Sequence, residues 1–280
     1  MKKMTKFFAL ALLAGAMVSC STEDTAPSTQ NDKVAVQFTG GISVNTRAAG
    51  LAWADGDMIG IFMTGTKQPL SADAIQEGVD NICYQTSGSI GFSPVSGGKT
   101  VFFPIDGDVD FYSYYPQTTV NDYKVALDVT DQRKQEAIDF MYAKTEGCNK
   151  ATPQVFLKFY HKLSNLVLDV QPGNGLTQED LKKMTVTVKG QNTKATFNLA
   201  DGTISGEGNP TDIKMKTTQA GKLYEAILLP TEEASRVIEF DLNNGYDAPF
   251  VWTMPAKLEG GKRYHYTVVK LSRSAVDISG

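Results

Sequence analysis

Along most of the chain, apolar and polar positions alternate with a period of two, the spacing of a strand with one face in a core and the other in solvent. Lys33-Val34-Ala35-Val36-Gln37-Phe38, Phe111-Tyr112-Ser113-Tyr114-Tyr115, Lys124-Val125-Ala126-Leu127-Asp128-Val129 and Met184-Thr185-Val186-Thr187-Val188 alternate or run apolar, as do residues 223–229, 237–242 and 264–271. Turn formers separate them: Ser96-Gly97-Gly98, Asp106-Gly107, Asp201-Gly202, Asn243-Asn244-Gly245 and Glu259-Gly260-Gly261. Such residues reverse a chain because they tolerate left-handed backbone or bond to their own main chain. Many short strands with this punctuation predict an all-β protein of sandwich type. Helical signals are confined to connectors. Thr177 with Asp180 predicts a capped short helix through Met184, and Ser71 starts a turn before Gly78.

At 280 residues the chain is long enough for two modest domains, each with its own core. The boundary is expected at residues 148–153, where Gly147-Cys148-Asn149-Lys150-Ala151-Thr152-Pro153 interrupts two apolar segments. That division gives an N-terminal sandwich over 48–150, a C-terminal sandwich over 151–271 and a tail over 272–280.

The N-terminus carries a different pattern. Lys2, Lys3 and Lys6 precede an apolar run over 7–18, which has the size of a secretory leader and is too short to span a bilayer. It ends at Met17-Val18-Ser19-Cys20, which resembles the bacterial lipobox. Residues 1–20 are therefore expected to be a lipoprotein signal peptide with Cys20 as the lipidated residue, so that the chain meets the membrane through a lipid anchor. Residues 21–27 form a polar tether, and Glu23 and Asp24 resemble the surface-export tag of lipoproteins from the Bacteroides group.

Charge and chemistry narrow the function. With 41% hydrophobic residues, 21% charged residues and a net charge of -4, the composition is that of a globular protein with no basic excess, which argues against a nucleic-acid partner. His161 and His265 stand far apart without further nitrogen or sulfur ligands at local spacing, so structural roles are expected for both and no metal or cofactor is implied. Asp106, Asp108 and Asp110 resemble the start of a calcium loop. The match fails at Phe111 and Gln117, where the loop needs Gly and Glu, so turn carboxylates are expected. Asp55 and Asp57 are read the same way, with Asp57 capping the next strand. No Gly-x-Ser-x-Gly turn is present, and no pattern selects a glycosidase pair, so the chain is not expected to be an enzyme. Cys83 and Cys148 are expected as two buried thiols, and Trp53, Trp252, Tyr112, Tyr114 and Tyr115 as core.

Several segments together carry a family resemblance. They are Thr46-Arg47-Ala48, Trp53-Ala54-Asp55-Gly56-Asp57 with Ile59-Gly60-Ile61, Phe111-Tyr112-Ser113-Tyr114-Tyr115-Pro116, and Asp139-Phe140-Met141-Tyr142-Ala143. Phe159-Tyr160-His161-Lys162-Leu163, Leu228-Leu229-Pro230 and Gly261-Lys262-Arg263-Tyr264-His265-Tyr266 complete the set. In order and spacing they resemble the fimbrillin-like lipoproteins of Bacteroides and Porphyromonas.

The resemblance implies two tandem transthyretin-like sandwiches, outer-membrane export and cutting after an Arg by an Arg-specific protease. It also implies assembly with other fimbrial subunits by strand exchange, and adhesion to a host or bacterial surface receptor. On this sequence the cut falls between Arg47 and Ala48, in the polar stretch after a removable strand over 34–44 whose apolar members include Val34, Val36 and Phe38. A sandwich that lacks such an edge strand exposes unpaired backbone beside an open core, and both defects are cured by a strand from a neighbour. The reading requires an ordered ribbon that completes the first sandwich, and a ribbon found disordered or woven into the middle of a sheet would collapse it. Ala275, Val276 and Ile278 are the apolar members of the donor tail, which at about 3.3 Å per residue spans roughly 30 Å, one strand's worth. Shaft subunits of the family carry a longer extension, so a tip, anchor or minor subunit stays open. The rival from another class is a surface lipoprotein that binds glycan on an exposed aromatic platform and does not polymerise.

Overall fold

The computed structural model describes residues 33–43, 52–273 and 275–279, the last five by their backbone. The first eight strands are β1 (Gln37–Ile42), β2 (Asp55–Gly65), β3 (Ile82–Ser87), β4 (Gly91–Pro94), β5 (Val109–Tyr115), β6 (Lys124–Asp128), β7 (Met141–Cys148) and β8 (Gln154–His161). The next five are β9 (Ser164–Pro172), β10 (Thr185–Asn198), β11 (Thr203–Lys214), β12 (Lys216–Gln219) and β13 (Leu223–Leu228). The last four are β14 (Arg236–Asp241), β15 (Phe250–Met254), β16 (Arg263–Ser272) and β17 (Ala275–Ser279). Among the described residues helix is confined to single 3-10 turns, one at Ala72–Ala74 after Ser71 and one at Gln135–Ala137. The all-β class read from the alternation is the class observed.

Seven strands close on themselves in the order β1-β4-β3-β2-β5-β7-β8. Val36, Phe38, Ile59, Ile61, Tyr84, Phe111, Val155 and Phe159 fill this barrel. Two five-stranded sheets follow. One runs β11-β10-β14-β15 with β6 also on β10, and the other runs β12-β13-β9-β16-β17. Leu166, Leu168, Val186, Phe197, Tyr224 and Phe240, drawn from both sheets, pack into one core, the arrangement of a sandwich.

β5 explains the one run that does not alternate. All seven of its residues are buried. Val109, Phe111 and Tyr115 enter the barrel interior, while Tyr112 and Tyr114 join the core of the two five-stranded sheets. A strand covered on both faces has no solvent side to mark with polar residues.

The expected boundary at 148–153 does not follow the sheets. β6, before it, pairs β10 from Lys124↔Asn198 to Asp128↔Lys194, and β8, after it, pairs β7 and β1. A period of two identifies a strand's apolar face but carries no information on which sheet the strand joins. The predicted helix through Met184 is corrected as well. The cap forms, with Thr177 N–H and Oγ1 both donating to Asp180 Oδ2 at 2.7 Å. Beyond it Asp180, Lys182 and Met184 donate to carbonyls three residues back, so the segment runs as successive turns that bury Leu181.

Candidate functional site: the closing strand

β1 corrects one expectation and supports another. It is no edge strand, because it lies between β4 and β8. In an open sheet that position would mean that removal splits the sheet in two. In a closed sheet it means something else: without β1, the strands β4-β3-β2-β5-β7-β8 remain one continuous sheet with two new edges. The ribbon is thus ordered and completes the N-terminal sheet, and the remaining strands stay joined without it.

The local geometry follows from its sequence. Val36, Phe38 and Gly40 face inward while Gln37 faces solvent. The Phe38 ring stands edge-on to Tyr84 at 5.2 Å and to Phe111 at 5.1 Å. β1 runs parallel to β8 from Gln37↔Gln154 to Ile42↔Phe159, and antiparallel to β4 only at Phe38↔Phe92 and Thr39↔Gly91. Val34, half-buried, accepts a hydrogen bond from Phe103 N–H at 2.9 Å, and Val36 N–H donates to Val101 O at 2.9 Å. Before any ring contact is counted, the strand is held by backbone bonds on both flanks.

The Gly40-Gly41 pair permits this closeness. A Cβ on Gly40 would lie 2.8 Å from the Phe92 ring and 3.3 Å from that of Phe159, and one on Gly41 would lie 2.8 Å from the Phe156 ring. Trp53 then locks the seam. It stands edge-on to Phe92 and Phe159, each at 5.1 Å, and its Nε1–H donates to Gly40 O at 2.8 Å. Reading by period assigned Trp53 to the core, where it lies, but not to the seam. Two adjacent glycines inside a strand are the signal that marks such a close approach.

Other singled-out residues fall as follows. Cys20, Arg47 and Ala48 lie outside the described residues. Ala275, Val276 and Ile278 belong to β17, which pairs with β16 from Ser272↔Ala275 to Val268↔Ser279, so the tail is a strand of its own sheet. Asp110 is buried and accepts from Thr66 Oγ1 (2.9 Å), Lys67 N–H (2.8 Å) and Gly147 N–H (2.9 Å), and Asp108 accepts from Asn149. Asp57 accepts from Ala54 N–H at 2.7 Å and from the Tyr115 hydroxyl at 2.9 Å. These are structural carboxylates. Burial, with the Asp57 carboxylate next, pushes the Tyr115 hydroxyl up.

His265 is exposed on β16, whereas His161 is buried with Nδ1 2.9 Å from Asp139 Oδ1. Its Nε2 has no partner among the described residues. No cluster of three metal-binding side chains occurs among the described residues. Trp53 is 7% exposed and so offers no open platform for stacking a sugar, while Trp252, expected in the core, is half-buried at its margin and edge-on to Tyr266 at 4.9 Å.

Cys83 and Cys148 are free thiols. Burial pushes both up, and for Cys148 the nearby Asp110 and Asp108 add to it, to about 11. Only the thiolate is alkylated, so iodoacetamide at pH 8 should label Cys148 in the folded chain well below its rate in the denatured chain. The rate should climb as the pH approaches 11, and peptide mass spectrometry reads the ratio. Equal rates at pH 8 would show that the thiol is open to solvent.

Among the described residues the N-terminal sheet is closed by β1, and the comparisons identify the family. A family model described as fimbrillin-like matches residues 46–279. A Bacteroides uniformis protein designated fimbrium subunit Fim1C is 33% identical over 287 residues, covering 96% of this chain and 91% of that protein. A crystal structure of a protein designated a cell adhesion protein, also from Bacteroides uniformis, superposes with a TM-score of 0.75 at 31% identity, over 88% of this chain and 96% of that one. A second, from Bacteroides ovatus, gives 0.69 at 25% identity over 88% and 95%. The chain belongs to the fimbrillin-like family. That family consists of structural fimbrial subunits, not enzymes, and its members work at the cell surface.

Proposed function

We propose that this chain is an adhesive or structural subunit of a surface fimbria that travels as a lipoprotein anchored at Cys20. A cut between Arg47 and Ala48 then releases the segment holding Val34, Val36 and Phe38, and the opened seam takes a strand from a neighbouring subunit. The partners on this reading are an Arg-specific protease, other fimbrial subunits, the outer membrane through the lipid, and a surface receptor met by the assembled fibre. The observation that carries it is the place of β1. It is the first of the described strands, closes the sheet, and leaves six strands still joined when taken away. Loss of β1 strips the backbone of β8 along its parallel ladder and uncovers the apolar floor beneath Phe38, and strand addition repairs both. The glycan-binding alternative is read on Trp53 and Trp252, and the burial of Trp53 takes the first of them out of such a platform.

Treatment of the purified chain with an Arg-specific protease is expected to remove a discrete N-terminal mass and to convert monomers into end-to-end oligomers, seen by light scattering and electron microscopy. A trimmed protein that stays monomeric at high concentration would sink strand uptake as the assembly mechanism.

A further inference from the structure

A cavity of about 320 Å³ lies where the barrel meets the sheet that holds β9. Asp57 on β2, Tyr115 on β5 and His161 on β8 wall it from the barrel side. Asn165 on β9, Lys216 on β12 and Glu225 on β13 wall it from the sheet, and the 3-10 turn at Gln135–Ala137 adds Glu136 at the rim.

Two polar atoms of this wall stand without a bond. The His161 side chain and Asn165 are each 7% exposed, and His161 Nε2 and Asn165 Oδ1 are buried with no partner among the described residues. A polar atom withdrawn from water without a replacement partner costs stability, which is why nearly all such atoms are bonded. Packing alone does not call for an amide at position 165. Its neighbours Leu166, Val167 and Leu168 are fully buried, so an apolar side chain would serve the fold there.

The charge of the wall is lopsided. Four carboxylates, Asp57, Glu136, Asp139 and Glu225, face the space against one ammonium, Lys216. Both oxygens of Asp57 are used within the fold, by Ala54 N–H and the Tyr115 hydroxyl. Asp139 meets His161 through Oδ1, and Glu225 accepts from Arg263 at 3.3 Å through Oε1. Glu136 is exposed and makes no ion pair among the described residues. After burial and the Asp57 bond, the charges of Asp57, Asp139 and Glu136 push the Tyr115 hydroxyl up, so these three carboxylates surround one point. They are not gathered as metal ligands, since no cluster of three such side chains occurs among the described residues. The cation that suits this wall is an organic one.

We propose that the cavity binds a small hydroxylated ammonium, a molecule of the size and chemistry of a single amino sugar. Its volume is that of about ten molecules of liquid water, room for one such molecule and not for a polymer. The ammonium answers the carboxylates, and an N–H or O–H of the ligand donates to Asn165 Oδ1. A hydroxyl, which both donates and accepts, serves His161 Nε2 whichever ring nitrogen carries the proton. The site belongs to the untrimmed chain, so it does not rest on strand uptake.

Calorimetric titration of the untrimmed chain with glucosamine and with glucose tests this, because the two differ by an ammonium against a hydroxyl at one carbon. At about pH 6 the amine is charged. Glucosamine is expected to bind, and glucose at least roughly tenfold more weakly. Asn165→Leu should keep its Tm within about 3 °C of the parent and bind glucosamine at least roughly tenfold more weakly. Ala54→Phe, at an exposed position of the cavity wall, should abolish binding, and it takes the place of Asn165→Leu if that variant does not fold. Near-ultraviolet circular dichroism reports the fold of each. Absence of binding at tens of millimolar glucosamine overturns the site. Equal affinity for the two sugars overturns the ammonium, and affinity for glucosamine unchanged in the folded variants overturns the cavity as its place.

Discussion

Alanine in place of Phe38 is expected to destabilise the untrimmed chain by about 3–5 kcal/mol, the range for a large aromatic deleted from a packed core. The ring is 2% exposed and meets two others edge-on, so the hole left behind has aromatic walls that cannot collapse into it. The loss should appear as a lower denaturant midpoint at an unchanged slope. Because Trp53 bonds to Gly40 on the same strand, its emission should shift to the red before the signal of the C-terminal sheets changes. The neighbouring Gln37→Ala, on the solvent side, should stay within about 0.5 kcal/mol. Equal midpoints for the two variants would show that the strand contributes no core at all.

The second large effect is expected at Asp110. Its carboxylate is buried on β5 and collects one hydroxyl and two backbone donors from two separate connections, the turn after β2 and the end of β7. Asp110→Ala leaves all three part-buried donors without their acceptor, at a cost of about 2–3 kcal/mol. Asp110→Asn keeps Oδ1 for Thr66 and Gly147 but sets an amide against the Lys67 N–H, and should fall between. Urea denaturation of the three proteins orders them. A loss below about 1 kcal/mol for the alanine variant would mean that water reaches these donors.

How far the sequence leads can be judged strand by strand. Lys124–Asp128 and Arg236–Asp241 emerge within a residue or two of where alternation puts them, because each has one more exposed face and one buried face, and Leu223–Leu228 does so although its last three residues are all buried. The alternation at Val36 and Phe38 likewise gives the inward face of β1 correctly. The partners of that strand are not legible. β8 lies more than a hundred residues away, and a parallel pairing at that distance leaves no local trace. The same holds for the closure of the sheet, for the exchange of β6 and β8 across residue 150, and for the burial of His161 against Asp139. At Thr177 the cap motif read correctly, yet only turns followed, since capping fixes where a helix can begin and not whether one propagates.

A ring of seven strands offers no exposed ladder on which another polypeptide could grow. On the proposed maturation, the N-terminal sheet of the uncut chain would meet its neighbours without a free edge of its own. On the proposed cut after Arg47, control over where filaments arise would reduce to control over where that scission happens.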